Sequence, residues 1–155
     1  MKLDKTTFIE VVKHAPLVAI DLIVKNHEEK TLVGLRQNEP AQATWFVPGG
    51  RILKNERIAQ AFNRITTEEL GQACIFEQAK FRGVFEHFYS TNFVACPGFG
   101  THYIVLAYEC SMIASKIELP QDQHQQYQWF SDQELLEHPQ VHPYTKAYVS
   151  RGEHP

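Results

Sequence analysis

Three glutamates, Glu56, Glu68 and Glu69, bracket one arginine, Arg64, and follow a glycine pair, Gly49-Gly50. Carboxylates in this order can hold a divalent cation against a diphosphate. A glycine turn ahead of them lets a backbone carbonyl approach the ion closely. Ile58, Ala61, Phe62 and Ile65 recur at the spacing of one helical face. Asn55 is the expected N-cap, Glu56 lies in the first turn and Gly71 is the expected stop. On that helix Glu69 falls within about 20° of the apolar stripe, Glu68 about 80° away and Arg64 about 120° away. Glu69 therefore faces the protein body. A buried carboxylate needs either a metal or a basic partner, and the residues alone leave both open, together with a plain solvated Glu-Glu pair.

Other elements must position these groups. The pattern predicts a helix over Asp4 to Lys13, with Thr7 and Glu10 at capping-box spacing, and a central strand over Leu17 to Val24. Asn26 to Lys30 reads as a turn, Thr31 to Arg36 as the returning strand, and Asn38-Glu39-Pro40 as a break. Ala79 to Tyr89 and His102 to Glu109 read as strands around a mobile loop, Ser90 to Gly100. Gln126 to Phe130 reads as a short strand, Ser131 caps a helix toward Leu136, and Tyr144 to Ser150 forms a last helical turn. The alternation makes an α/β (α+β) chain, and residues 1–155 are read as one domain.

Composition excludes several classes. A net charge of −3 on 155 residues gives no general attraction to nucleic acid. Hydrophobic content of 43% and charged content of 21% are those of a soluble globular protein. No apolar run reaches membrane-spanning length, and the first residues lack the apolar core of a secretory signal. Cys74, Cys96 and Cys110 are odd in number and far apart, which suits free thiols in a reducing compartment. The expectation is a cytoplasmic protein with no membrane or nucleic-acid partner.

The spacing from Gly50 through Glu56, Arg64, Glu68, Glu69 and Gly71 resembles the Nudix box, which spans about residues 50–72 here. Ile65, Thr66 and Gln72 depart from it, and Ile65 stands where most of the family has a further acid. The resemblance implies a mixed β-sheet sandwiched between α-helices and hydrolysis of a nucleoside diphosphate derivative with Mg2+, Mn2+ possible in its place. The branch that lacks this acid and still catalyses is the GDP-mannose mannosyl hydrolases. The chain resembles that branch in Trp45 to Arg51, His87-Phe88-Tyr89, Thr101-His102-Tyr103, Leu119-Pro120 and Gln123-His124. That branch cleaves GDP-mannose, and GDP-glucose as a second candidate, by attack of water on the anomeric carbon with inversion.

By that resemblance Glu69, the Gly49 carbonyl and Gln123 bind Mg2+, and His124 is the general base. Asp21 contacts the sugar hydroxyls, Arg36 and Arg51 grip the diphosphate, and Tyr103 donates to a diphosphate oxygen. Arg64 and His87 are secondary contributors, and Lys2, Leu3 and Phe8 hold the guanine end. It further implies a homodimer and a role in GDP-sugar supply for polysaccharide biosynthesis. Each residue also has a plainer reading. Gln123-His124 lies in a polar stretch that suits a solvated loop, Asp21 interrupts an apolar run and must find some partner, and Phe8 shares its helix face with Val11 and Val12. Two other functions stay open: a Nudix pyrophosphohydrolase attacking phosphorus, and a noncatalytic nucleotide-sugar-binding module.

Overall fold

The computed structural model of the chain describes residues 2–112, 119 and 124–150. Strand β1 (Leu17–Lys25) is the axis of a seven-stranded mixed sheet. It pairs in parallel with β6 (Thr101–Ser111) along its whole length, and β6 pairs antiparallel with β5 (Lys80–Tyr89) at the edge. On its other side β1 meets β2 (Thr31–Arg36) only at Lys25 and Thr31. The early half of β1 is taken instead by β4 (Gly49–Arg51). Strand β2 goes on to pair with β3 (Trp45–Phe46) and β7 (His124–Phe130). This splay opens the sheet between β1 and β2, with arginine at the far end of β2.

The pleat sends alternate residues of β1 to opposite faces. Ile20 and Leu22 pack beneath α2 (Ile58–Leu70) with Phe62, Ile65 and Leu70. Ile23 joins a second core, on the other face, with Val33, Phe46, Leu135 and Tyr148. That second core is roofed by α3 (Asp132–Glu137), by the short α4 (Pro143–Lys146) and by the turn after it. Helix α1 (Lys5–His14) lies across the start of β6. The result is the expected mixed sheet between helices.

Several local expectations are corrected. Gly49-Gly50 is not a turn but the start of β4, extended and paired to β1. Gly49 is required there by close approach, since a Cβ would stand 2.5 Å from the Ile20 carbonyl oxygen. Helix α2 is capped by Arg57, not Asn55; Gln60 answers the cap with its own side chain, and Asn55 takes a left-handed φ of 71° in the loop before it. Helix α1 is capped by Asp4, which accepts from the Thr7 amide at 2.8 Å, so Thr7 is inside the helix and not its cap. The segment Ser90 to Gly100 is a loop, as expected, and it is built around buried Asn92, whose amide donates to the carbonyls of Cys96 and Phe99. His124 opens β7 instead of lying in a loop. The last helix ends at Lys146, and Tyr148 follows in a turn.

Candidate functional site

A cavity of about 220 Å³ lies where β1, β4, β5 and β6 present the same face. Ladder register explains its lining. Ala19 and Asp21 on β1 face the same way as Tyr103 and Val105 on β6, as His87 and Tyr89 on β5, and as Gly49 and Arg51 on β4. Arg36 and Pro40 close one side, and Glu69 enters from α2. So seven of the expected residues, Asp21, Arg36, Gly49, Arg51, Glu69, His87 and Tyr103, line one cavity.

The charges in it are strained by burial. Asp21 is 7% exposed, and its carboxyl is pushed up to about 7 mainly by loss of water, against the pull of a Tyr148 hydrogen bond and of Arg36. The Tyr148 hydroxyl donates to Oδ2 of Asp21 at 2.5 Å. Glu69 is also pushed up to about 7 by burial, with the Gly49 backbone amide and Arg36 pulling down and Glu68 pushing up. No basic residue among the described residues forms an ion pair with Glu69 or Asp21. Arg36 donates its Nε to the Pro40 carbonyl at 2.9 Å, which fixes the plane of the guanidinium. Arg51 lies with its guanidinium carbon 4.0 Å over the Phe8 ring, and Phe8 leans on Phe93 at 4.8 Å. Neither arginine is in an ion pair among the described residues, so both remain available to an anion.

His87 is 3% exposed, and burial with His142 nearby lowers it to about 4, so it is neutral at physiological pH. It stacks flat on Tyr144 with ring centroids 4.1 Å apart. Tyr103 is raised by burial and stays a protonated donor, against the opposing pull of Arg36 and Arg51.

Other expected residues stand outside the lining. Arg64 has its donors occupied by Glu56 at 2.8 and 2.9 Å, by Glu68 at 3.1 Å, and by the Arg51 carbonyl at 2.7 Å. It holds β4 in place and does not face the cavity. Phe8 reaches the site only through Arg51. Lys2 and Leu3 are exposed and contribute nothing to the wall. Gln123 lies outside the described residues; of His124 only the backbone is described, and it pairs with Arg36.

Tyr89 and Tyr148 were missed. Tyr89 lies two residues beyond His87 on one strand, so period-two alternation would have found it. Tyr148 gives no sequence signal, because it meets Asp21 across a separation of 127 residues.

Ile65 decides how the helix can contribute. It is 1% exposed, packed in the core beneath Gly50, where a Cβ on that glycine would stand 3.2 Å from its Cγ1. An acid is absent from this position, and Glu69, one helical turn on, is the only carboxylate that α2 sends into the cavity.

The family model of the NUDIX domain matches residues 15–150. The chain belongs to the Nudix family. It is 38% identical to the low-salt glycan biosynthesis protein Agl8 of Haloferax volcanii over 140 residues, 90% of this chain and 83% of that protein. The MutT NUDIX hydrolase of Burkholderia pseudomallei superposes with a TM-score of 0.71 at 23% identity, over 90% of this chain and 100% of its own. The MutT protein of Methanosarcina mazei Go1 does so at 0.70 and 17%, over 89% and 94% of the two chains. These two likenesses bear on the fold.

Nudix hydrolases generally use a divalent metal such as Mg2+. Donor chemistry here fits such an ion. Among the described residues no three His, Cys, Asp or Glu side chains gather as a metal cage. A hard cation sharing its shell with a diphosphate needs fewer. Leu22 donates to the Pro48 carbonyl and Ile52 to the Val18 carbonyl, both at 2.8 Å. Gly49 falls between these bonded pairs, so its own N–H and C=O turn away from β1. The amide points to Glu69. The carboxylate and the carbonyl are thus oxygen donors at one end of the cavity, and the buried Glu69 charge calls for a cation.

Proposed function

We propose that this Nudix hydrolase cleaves GDP-mannose, with GDP-glucose as a second substrate, to GDP and the free sugar by water attack at the anomeric carbon with inversion. The observation that carries the reading is Ile65 buried under Gly50. With no acid there, the helix offers Glu69 alone, which suits holding a cation more than activating a water at phosphorus. Glu69, the Gly49 carbonyl and Gln123 would hold Mg2+, or Mn2+ in its place, and the bound ion would offset the charge of GDP as it leaves.

Arg36 and Arg51 bind the diphosphate, and their charges stabilise the leaving group as its negative charge grows. Tyr103 donates a hydrogen bond to a diphosphate oxygen, and neutral His87 contributes a further polar group without adding charge. Asp21 accepts from sugar hydroxyls and orients the ring. His124 takes the proton from water; support for it comes from the register, because β7 begins opposite Arg36. Phe8 stacks beneath Arg51, which favours the guanine end near α1, with Lys2 and Leu3 beside it. The glycan-biosynthesis name of the Haloferax volcanii relative supports a sugar nucleotide and a role in polysaccharide supply. A cytoplasmic homodimer is part of the proposal. Among the described residues no helix is long and apolar enough to cross a membrane. Phe81, Val84 and Phe88 on edge strand β5 are more than half exposed on one face, with Glu86 between the last two, a mainly apolar surface that suits a second copy.

Hydrolysis in 18O-labelled water, with products resolved by mass spectrometry, tests the reading. The expected label is in free mannose, with GDP unlabelled. Label in GMP or mannose 1-phosphate means attack at phosphorus and the pyrophosphohydrolase reading. Nucleotide binding with no product across a panel of substrates means a noncatalytic module. His124→Ala is expected to lose at least about a hundredfold in kcat while still binding GDP, as general-base loss does; unchanged turnover removes His124 as the base.

A further inference from the structure

Tyr148 lies beyond the last helix, far in sequence from every residue of the box. Its backbone and ring are nonetheless clamped on several sides. Its carbonyl accepts from Arg82 at 3.2 Å, and Arg82 is itself paired with Glu109. Its amide donates to Thr145 at 3.1 Å. Its ring meets Phe85 edge-on at 4.9 Å and lies 6.3 Å from the His87 ring. The residue is 3% exposed and belongs to the second core with Ile23 and Val33. A frame of this kind sets where the hydroxyl points, and it points at Oδ2 of Asp21.

The other oxygen of Asp21 faces a different element. Oδ1 stands 2.7 Å from the place a Cβ on Gly49 would occupy, so it looks onto the bare backbone of β4. We propose that Tyr148 is a positioning residue for the reaction: by holding Oδ2, its hydroxyl fixes the Asp21 carboxylate plane and presents Oδ1 to the substrate sugar. Without that bond the carboxylate turns about its last torsion, which is broad for aspartate, and can swing toward Arg36. The proposal rests on the reading that Asp21 contacts the sugar.

Tyr148→Phe keeps the ring and removes only the donor, so a purely structural role for the ring leaves the kinetics of this variant unchanged. A charge-assisted hydrogen bond of this kind predicts a loss of about tenfold in kcat/KM. The loss is expected with a sugar nucleotide and not in GDP affinity measured by calorimetry, since GDP lacks the sugar. In an Asp21→Ala background the same substitution is expected to change kcat/KM by less than about twofold, because no acceptor is left to orient. Three results overturn the proposal: Tyr148→Phe within twofold of wild type, an equal loss in both backgrounds, or an equal loss of GDP affinity. The cycle is run on whichever nucleotide sugar the wild type turns over fastest. A wild type inactive on GDP-mannose therefore sinks the substrate assignment above, while the cycle still decides the fate of Tyr148.

Discussion

Asp21 is a carboxylate that the fold would be more stable without. Its folded pKa of about 7 lies above the ordinary 3.8, so its contribution is fully present below about 3.8 and is lost as pH rises through about 7. At pH 8 the native state carries a buried charge that the unfolded chain leaves in water. Asp21→Asn removes the charge and keeps an acceptor for Tyr148. Its expected effect with metal chelated is a gain of about 1–3 kcal/mol at pH 8, fading toward zero near pH 4. Urea titrations at the two pH values check this, and a variant less stable than wild type at pH 8 contradicts the burial cost assigned to Asp21. The same substitution is expected to cost activity, the usual trade at a site held in a strained state.

Helix α2 owes its placement to a charged cluster at one end and apolar packing along one side. Glu56 receives both Nε and Nη2 of Arg64 and also the Leu53 amide at 2.7 Å. Those bonds, led by the Arg64 hydrogen bond, hold Glu56 down to about 2, well below 4.5. A lowered carboxyl stabilises the fold above about pH 4.5, and that stability is lost as pH falls toward 2. Glu56→Gln is therefore expected to lose about 1–2 kcal/mol at pH 7 and to converge on wild type in acid, as thermal melts across pH would read. A rise in KM should accompany it, because Arg64 also ties down the Arg51 carbonyl. A constant deficit at every pH would mean that packing, not charge, is what Glu56 supplies.

What could be read beforehand follows from the range of the forces. The stripe from Ile58 to Ile65 and the apolar run of β1 are local patterns, and both elements form where those patterns lie. The inward face of Glu69 followed from the same wheel. Strand β4 was not legible, because three residues beginning with two glycines carry no period, and only pairing with β1 extends them. The cap of α2 went to Arg57 because Gln60 answers it, while Asn55 was drawn into a left-handed turn. The Asp21 to Tyr148 bond was invisible for a third reason, since nothing local marks a contact between distant chain segments.

For the molecule as a whole, the mainly apolar face of β5 is the least explained surface. Phe81, Val84 and Phe88 share one face of the edge strand, and Val18 on β1 extends that side of the sheet beyond α2. Sedimentation velocity is expected to find a dimer for wild type and a monomer for Val84→Asp combined with Phe88→Asp, with far-ultraviolet circular dichroism unchanged. A monomeric wild type at micromolar concentration removes the second copy from that face.

The long reach between Asp21 and Tyr148 has a consequence for how the protein is born. The two residues are 127 positions apart, so at ordinary rates of synthesis Asp21 leaves the ribosome on the order of ten seconds before its partner does. For the earlier part of that interval, while the chain up to Ala107 is still being made, β1 also lacks the strand it pairs with in parallel, and its apolar side chains wait with it. The nascent chain thus carries a β1 without its parallel neighbour until β6 has been made, and holding it apart from other chains falls to whatever attends the ribosome.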